Sequence, residues 1–281
     1  MCYKNLTFSK MASKETRQVA EIVISMDTTG SMYPYIEMIR ENISNILSSL
    51  FRISSNLRVA IIAHGDYADQ DCENCYVTKI QDFTDDIKKL RSFVTGISGT
   101  CGFDVEECYE LVLKETTRLS WVPGSNRLMI ILADSAPHEK PFFKKCAISP
   151  KPKVIDWRKE VRTLSSMDVR ICGINCSAES RTKQFFDEIS ARTNGFHLRI
   201  SDKRDVIDAL IAVCCSHFNK QILKNYEAEL RKRRIFSADM ETVFNRLNPS
   251  DCKRSENRSY RDPSRDKPRD EPSEPSSHPT P

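Results

Sequence analysis

Residues 23–32 read Val-Ile-Ser-Met-Asp-Thr-Thr-Gly-Ser-Met, an apolar run that ends in Asp27 and is followed at alternate positions by the hydroxyls of Thr29 and Ser31. A carboxylate with hydroxyls spaced in this way offers only oxygen donors, which suit Mg2+, Mn2+ or Ca2+ rather than zinc. Gly30 is expected to let the backbone turn tightly, so that Thr29 and Ser31 face one point. A plainer reading of the same string is that Asp27, Thr29 and Ser31 cap the following helix and satisfy its backbone donors.

The surrounding pattern says which elements must position these groups. Apolar runs at 19–26, 57–63, 127–133 and 169–174 read as buried strands, with a short one at 195–199. Residues 76–83 alternate apolar and polar side chains, which suits an edge strand paired antiparallel to its neighbour. Helices are expected at 35–51, with Ile36, Ile39, Ile43, Ile46, Leu47 and Leu50 on one face, and at 104–119, 156–166, 180–192 and 202–215. Another helix after residue 84 is expected to be capped by Thr84, with Asp85 and Asp86 in its first turn and Ile87, Leu90 and Val94 inward. Strands alternating with helices predict an α/β fold over 18–218, a doubly wound, mostly parallel six-stranded sheet with one antiparallel edge strand. Ligands bind outside the carboxyl edge of such sheets, where Asp27 falls. Residues 1–17 form an N-terminal segment. Residues 219–248 read as a helical hairpin packing on the domain, with Ser237 capping its second piece; the sharper alternative is an amphipathic partner-binding segment carrying the basic cluster 231–234. The tail 249–281, rich in Pro, Ser and balanced charge, is expected to be disordered.

The string Asp27-Thr28-Thr29-Gly30-Ser31 resembles the Asp-x-Ser/Thr-x-Ser signature that opens the metal-ion-dependent adhesion site (MIDAS) of von Willebrand factor A domains, and the element order agrees over 18–218. The resemblance implies a further Thr or Asp from a later loop and an Asp at the end of the fourth strand. Asp134, after 128–133, matches the latter. For the loop, the similar subgroup found beside alpha-kinase domains and in hemicentin-like proteins often reads Gly-Gly-Gly-Asp-x-Pro-Glu. This chain reads Gly102-Phe103-Asp104-Val105-Glu106-Glu107, so Asp104 and Glu107 fit the frame while a Phe and a Glu depart from it. Thr100 is the alternative loop ligand. The implied metal set is therefore Asp27, Thr29, Ser31, Asp134 and one of Thr100 or Asp104, around Mg2+ (or Mn2+ or Ca2+). The implied act is capture of an Asp or Glu side chain on a partner protein.

Other reactive side chains get blander expectations. Asp66, Asp69 and Asp71 read as a solvated acidic loop, and His64 and His138 as structural or solvated. Cys72 and Cys75 form a Cys-x-x-Cys pair and Cys172 and Cys176 a Cys-x-x-x-Cys pair, but a structural zinc needs four converging ligands and nothing in the spacing unites these pairs. Two loop thiols are expected at 72 and 75.

Composition excludes several classes. The 281 residues carry 43 Lys+Arg against 39 Asp+Glu, a net charge of +4, too weak a field to imply nucleic acid or an acidic membrane as partner. No apolar run approaches the roughly 20 residues of a membrane-spanning helix, and 1–17 lacks the apolar stretch of a secretory signal, so a cytoplasmic protein with mostly reduced cysteines is expected. No phosphate loop, dinucleotide fingerprint or nucleophile elbow occurs. Aspartyl phosphoryl-transfer enzymes pair their nucleophile with a second Asp two positions on, where this chain has Thr29. The expectation is a protein-binding module and not an enzyme. The runner-up is a kinase-associated or phosphate-handling role for the same cation, and the third reading a degenerate A domain that binds without metal.

Overall fold

A computed structural model of the chain describes residues 18–102, 105–145, 148–149, 151–233 and 236–248; segments 1–17 and 249–281 lie outside the described residues, as does 234 of the basic cluster. The elements run β1 (Ala20–Asp27), α1 (Tyr33–Ile53), β2 (Leu57–His64), β3 (Thr78–Thr84), α2 (Ile87–Thr95), α3 (Tyr109–Thr116), β4 (Asn126–Ala133), α4 (Lys140–Lys145), α5 (Trp157–Ser166), β5 (Val169–Asn175), α6 (Ser180–Arg192), β6 (Phe196–Arg199), α7 (Val206–Phe218), α8 (Lys220–Lys232) and α9 (Ala238–Leu247).

The strands form one six-stranded sheet in the order β3-β2-β1-β4-β5-β6, and every pairing is parallel except β2 with β3. This is the expected doubly wound α/β architecture. β1 and β4 are central and covered on both faces, which is why they read as continuous Ile, Val, Leu and Met. One face packs on α1, α2 and α7, the other on α3, α5 and α6. β1 is flanked by β2 on one side and by β4 on the other, so the winding direction reverses between β1 and β4. The register sets Met26 opposite Leu132, and therefore brings Asp27 and Asp134 to the same end of this switch point.

Several boundaries differ from expectation. Thr84 is the last residue of β3 and the cap of α2 is Asp86, whose carboxylate accepts from the Lys88 and Lys89 amides; Thr84 instead accepts from the Asp86 amide. The helix expected over 104–119 is confined to α3, because Glu107 enters an isolated bridge with Pro137 before the helix starts. In β3 only Phe83 is buried, as suits an edge strand.

Helices α8 and α9 form a hairpin whose Leu223, Tyr226, Leu230, Met240, Val243, Phe244 and Leu247 join the core on the α1/α7 side. Polar bonds fix its seat. Ser237 caps α9 through the Met240 amide and also donates to Asp205, Tyr226 donates to Asp208 at 2.5 Å, and Asp239 accepts from Ser201 and Asp202. The apolar stripe of the hairpin is thus covered by the domain, which leaves the basic side chains Arg231 and Lys232 on the outside.

Burial lowers two imidazoles of this framework from 6.5 to about 4, the wholly buried His64 at the end of β2 and the half-buried His217 in the last turn of α7. The unfolded chain binds protons below pH ~6.5, before the folded chain does, so each histidine removes stability as pH falls from about 6.5 toward 4. By pH ~5 the loss is on the order of 2 kcal/mol per histidine. Denaturant unfolding of the parent and of His217→Leu at pH ~7 and ~5 should show an acid-induced loss smaller by about that amount in the variant.

Candidate functional site

Asp27 is wholly buried at the carboxyl end of β1, and each of its oxygens has a protein donor. Oδ1 accepts from the Thr29 amide at 2.9 Å and from the Thr29 hydroxyl at 2.7 Å. Oδ2 accepts from the Tyr109 hydroxyl at 2.5 Å, and that hydroxyl in turn accepts from the Ser135 amide at 3.2 Å. Tyr109, the first residue of α3, is therefore a strut between the ends of β1 and β4. It is buried, stacked on Phe185 and set edge-on to His64. Burial pushes the Asp27 carboxyl up, the Tyr109 and Thr29 bonds pull it back, and Asp66 pushes it up again.

Asp134 follows β4 and is partly exposed. Burial and repulsion from Asp27 push its carboxyl up, and a hydrogen bond from the Ser31 side chain offsets part of that. The two carboxylates thus carry hydroxyl partners from the loop between them, Thr29 on Asp27 and Ser31 on Asp134. Among the described residues no ion pair joins either acid to a Lys or Arg.

The helix-capping alternative is not what these hydroxyls do. Thr29 precedes a 3-10 turn (Gly30–Met32) and Met32 precedes α1, and neither position makes a side-chain cap; α1 begins instead with Pro34 in its first turn. Gly30 is also not the hinge expected of it. Its φ is not positive, and a Cβ there would find its nearest neighbour, the Cys101 carbonyl, at an unstrained 3.8 Å.

The second loop enters at Thr100, whose amide donates to the Thr28 carbonyl at 2.8 Å. The Thr100 hydroxyl lies 3.2 Å from that of Thr28, which also bonds the His64 carbonyl and receives Tyr76. Thr100 therefore ties the loop to β1 through Thr28, one residue from the Asp27–Thr29 pair. Asp104 lies outside the described residues. Gly102 takes φ +62°, and a Cβ there would come 2.9 Å from Glu107 Oε1 and 3.1 Å from the Thr29 side chain, so this glycine is required by both backbone and space. That contact also places the buried carboxyl of Glu107 beside Thr29.

The acidic loop after β2 is not solvated as expected. Asp66 and Asp69 are buried, and only Asp71 is exposed. Asp69 accepts from the Asp66, Cys101 and Gly102 amides, holding the Thr100 loop in place. Asp66 lies 2.7 Å from His138 Nε2, and His138 is itself buried and stacked on Phe142. These residues form a buried brace under the site. Glu110 belongs to it, accepting from the His138 amide, and burial raises its carboxyl to about 7. Sequence reasoning missed Tyr109, Asp69 and the Asp66–His138 pair; Glu107 had appeared only as a match to a family frame.

No family model matches the chain. It is 23% identical over 201 residues to an ariadne-like RING finger protein of Acanthamoeba polyphaga mimivirus, an alignment covering 69% of this chain and 19% of that protein's length. Among solved structures, the pilus adhesin SpaC of Lactobacillus rhamnosus GG superposes with a TM-score of 0.52 at 11% identity, over 75% of this chain and 31% of the adhesin. A von Willebrand factor type A protein from Catenulispora acidiphila superposes with a TM-score of 0.51 at 13% identity, over 72% of this chain and 43% of that one. The chain has a von Willebrand factor A-like fold.

Removing the strut should be costly. In Tyr109→Phe, Asp27 Oδ2 loses its donor inside the protein, and denaturant unfolding at neutral pH should show a loss of about 1–3 kcal/mol. The loss should shrink in acid, where Asp27 is protonated and needs that donor less.

Proposed function

We propose that the chain is a protein-interaction module that holds Mg2+ or Mn2+ at the β1/β4 switch point and uses it to bind an acidic side chain of a partner. The reading rests above all on one observation: Asp27 and Asp134 converge at the sheet edge, Asp27 raises the cost of ionising Asp134, and both carry hydroxyl partners instead of a basic residue. A divalent cation is the partner that such a set lacks. Its donors are all oxygen, which favours a hard ion.

In this reading Asp27 and Asp134 supply charge, directly or through water, while Thr29 and Ser31 turn their hydroxyls from the carboxylates toward the ion. Thr100 or Asp104 completes the ring from the second loop. Neutral hydroxyls offset less of the ion's charge than further carboxylates would, which leaves it able to accept an incoming Glu or Asp. Tyr33 and Val105 are exposed large apolar side chains near the site. Tyr33 packs against Gly99, and the Val105 carbonyl accepts from the Ser135 hydroxyl. They offer a partner an apolar contact around the charged centre. Among the described residues no helix is long and apolar enough to cross a membrane. The similarity of fold to a pilus adhesin is in keeping with binding, and no complete catalytic motif argues for turnover.

Calorimetric titration with Mg2+ and Mn2+ is expected to show one site on the full chain and none on Asp27→Ala or Asp134→Ala. Because protons compete for raised carboxylates, apparent affinity should fall as pH is lowered from about 7 to 5. Absence of metal heat from the parent would leave the metal-free reading standing. Turnover of ATP or a phosphoester that Asp27→Ala abolishes would favour the phosphate-handling one. Chelator-sensitive capture of a partner, reversed by Mg2+, is the positive outcome.

A further inference from the structure

Cys72, Cys75 and Cys101 come from two loops and meet at one point. Their sulfurs form a triangle with edges of 2.9 Å (Cys72–Cys75), 3.5 Å (Cys72–Cys101) and 3.7 Å (Cys75–Cys101). Among the described residues they are the one group of three or more Cys, His, Asp or Glu side chains whose ligand atoms cluster closely enough to share an ion. The two loop thiols expected at 72 and 75 are joined by a third, which lies 26 residues beyond Cys75.

Bonds that do not involve sulfur hold the triangle together. The Cys75 amide donates to the Cys72 carbonyl at 3.2 Å, closing a tight turn in which Asn74 takes φ 66°, a left-handed conformation that Asn tolerates. That turn presents both thiols on one side. Cys101 is fixed by its own amide, which donates to Asp69 Oδ1 at 2.8 Å, and by the Thr100 amide on the Thr28 carbonyl. Cys72 and Cys75 are half-buried and Cys101 is exposed, so an ion has a path in.

We infer that the three thiols form a second metal site, for Zn2+ or another thiophilic divalent cation, with the fourth coordination position left to water or to a ligand from a partner. Tetrahedral zinc with Zn–S of about 2.3 Å sets its sulfurs about 3.8 Å apart. Both edges to Cys101 are close to that value, and the Cys72–Cys75 edge reaches it by rotation of two partly exposed side chains. Binding replaces the three S–H protons with metal–sulfur bonds and releases them to solvent, with no change of oxidation state. The site differs from the Asp27 site in ligand chemistry, sulfur against oxygen, so the two sort cations by softness. An ion here ties the 72–75 turn to the loop that runs through Thr100 to Gly102 beside Thr29.

The probe is Co2+, added without oxygen to the reduced full chain. A thiolate-to-cobalt charge-transfer band should rise to one equivalent and be displaced by one equivalent of Zn2+. Cys101→Ser should weaken binding at least ~tenfold and lower the band, while Cys176→Ser, at a thiol outside the cluster, leaves it unchanged. Should Cys101→Ser fail to fold, Cys72→Ser on the exposed turn reports the same loss. The proposal is overturned if no band forms, if the band persists at full strength in the folded serine variants, or if mass spectrometry finds Cys72 and Cys75 oxidised together in chain kept under reductant.

Discussion

A carboxylate with no exposed surface is costly to keep ionised, and Asp27 sits at the one place in the sheet where it cannot move away. β1 is packed on both faces and paired on both sides, so its last residue inherits a fixed position. The surrounding polar architecture serves that carboxyl. Thr29 closes over one oxygen, Tyr109 braces the other, and Tyr109 also takes the Ser135 amide so that β4 ends at the same height. Asp134 is then held near enough to Asp27 for their charges to conflict. A fold that brings two acids together without a basic neighbour is arranged around something cationic or around shared protons. The proposed cation site takes the former, with the hydroxyls of the intervening loop unspent on helix capping.

The second loop is fixed by the same logic one layer down. Asp69 is buried, and its carboxylate is satisfied by backbone amides of its own turn and of residues 101 and 102, which converts a buried charge into a clamp. Asp66 and His138 form a second buried pair beneath it. Gly102 can then approach Thr29 closely only because it has no side chain and accepts a positive φ.

Much of this was legible from residue order alone. The strands that form the centre of the sheet are continuous apolar runs, and their period and spacing fix the winding and hence the edge where Asp27 and Asp134 emerge. The edge strand betrayed itself by alternation. What could not be read were contacts made across long separations by residues with no local signature. Tyr109 looks like any aromatic on a buried helix face, yet its hydroxyl crosses 82 positions to Asp27. Asp66 and Asp69 look like a polar loop because burial depends on tertiary packing; here Tyr67, between them in the chain, packs on His138, Phe142 and Phe143, and His138 also meets Asp66. Gly30 drew attention by its type, although the glycine with a positive φ at this site is Gly102, 72 positions later. A helix cap failed for a related reason: Thr84 and Asp86 both suit the role, and the difference between them is where the strand's last hydrogen bond falls.

Three consecutive residues run between the two proposed sites. Thr100 faces Thr28 and the base of the Asp27 site, Cys101 turns outward to the thiols of the 72–75 turn, and Gly102 supports Thr29. The Thr100 hydroxyl and the Cys101 sulfur meet different partners, so one short loop can serve both an oxygen cluster and a sulfur cluster. The backbone amides of Cys101 and Gly102 both end on Asp69, which makes that single carboxylate the common foundation. An ion drawn to the sulfurs would therefore restrict the same segment whose position decides how well the hydroxyls meet an ion at Asp27. Coupling of this kind needs no large movement, because the shared loop is only three residues long and is already fixed at its centre.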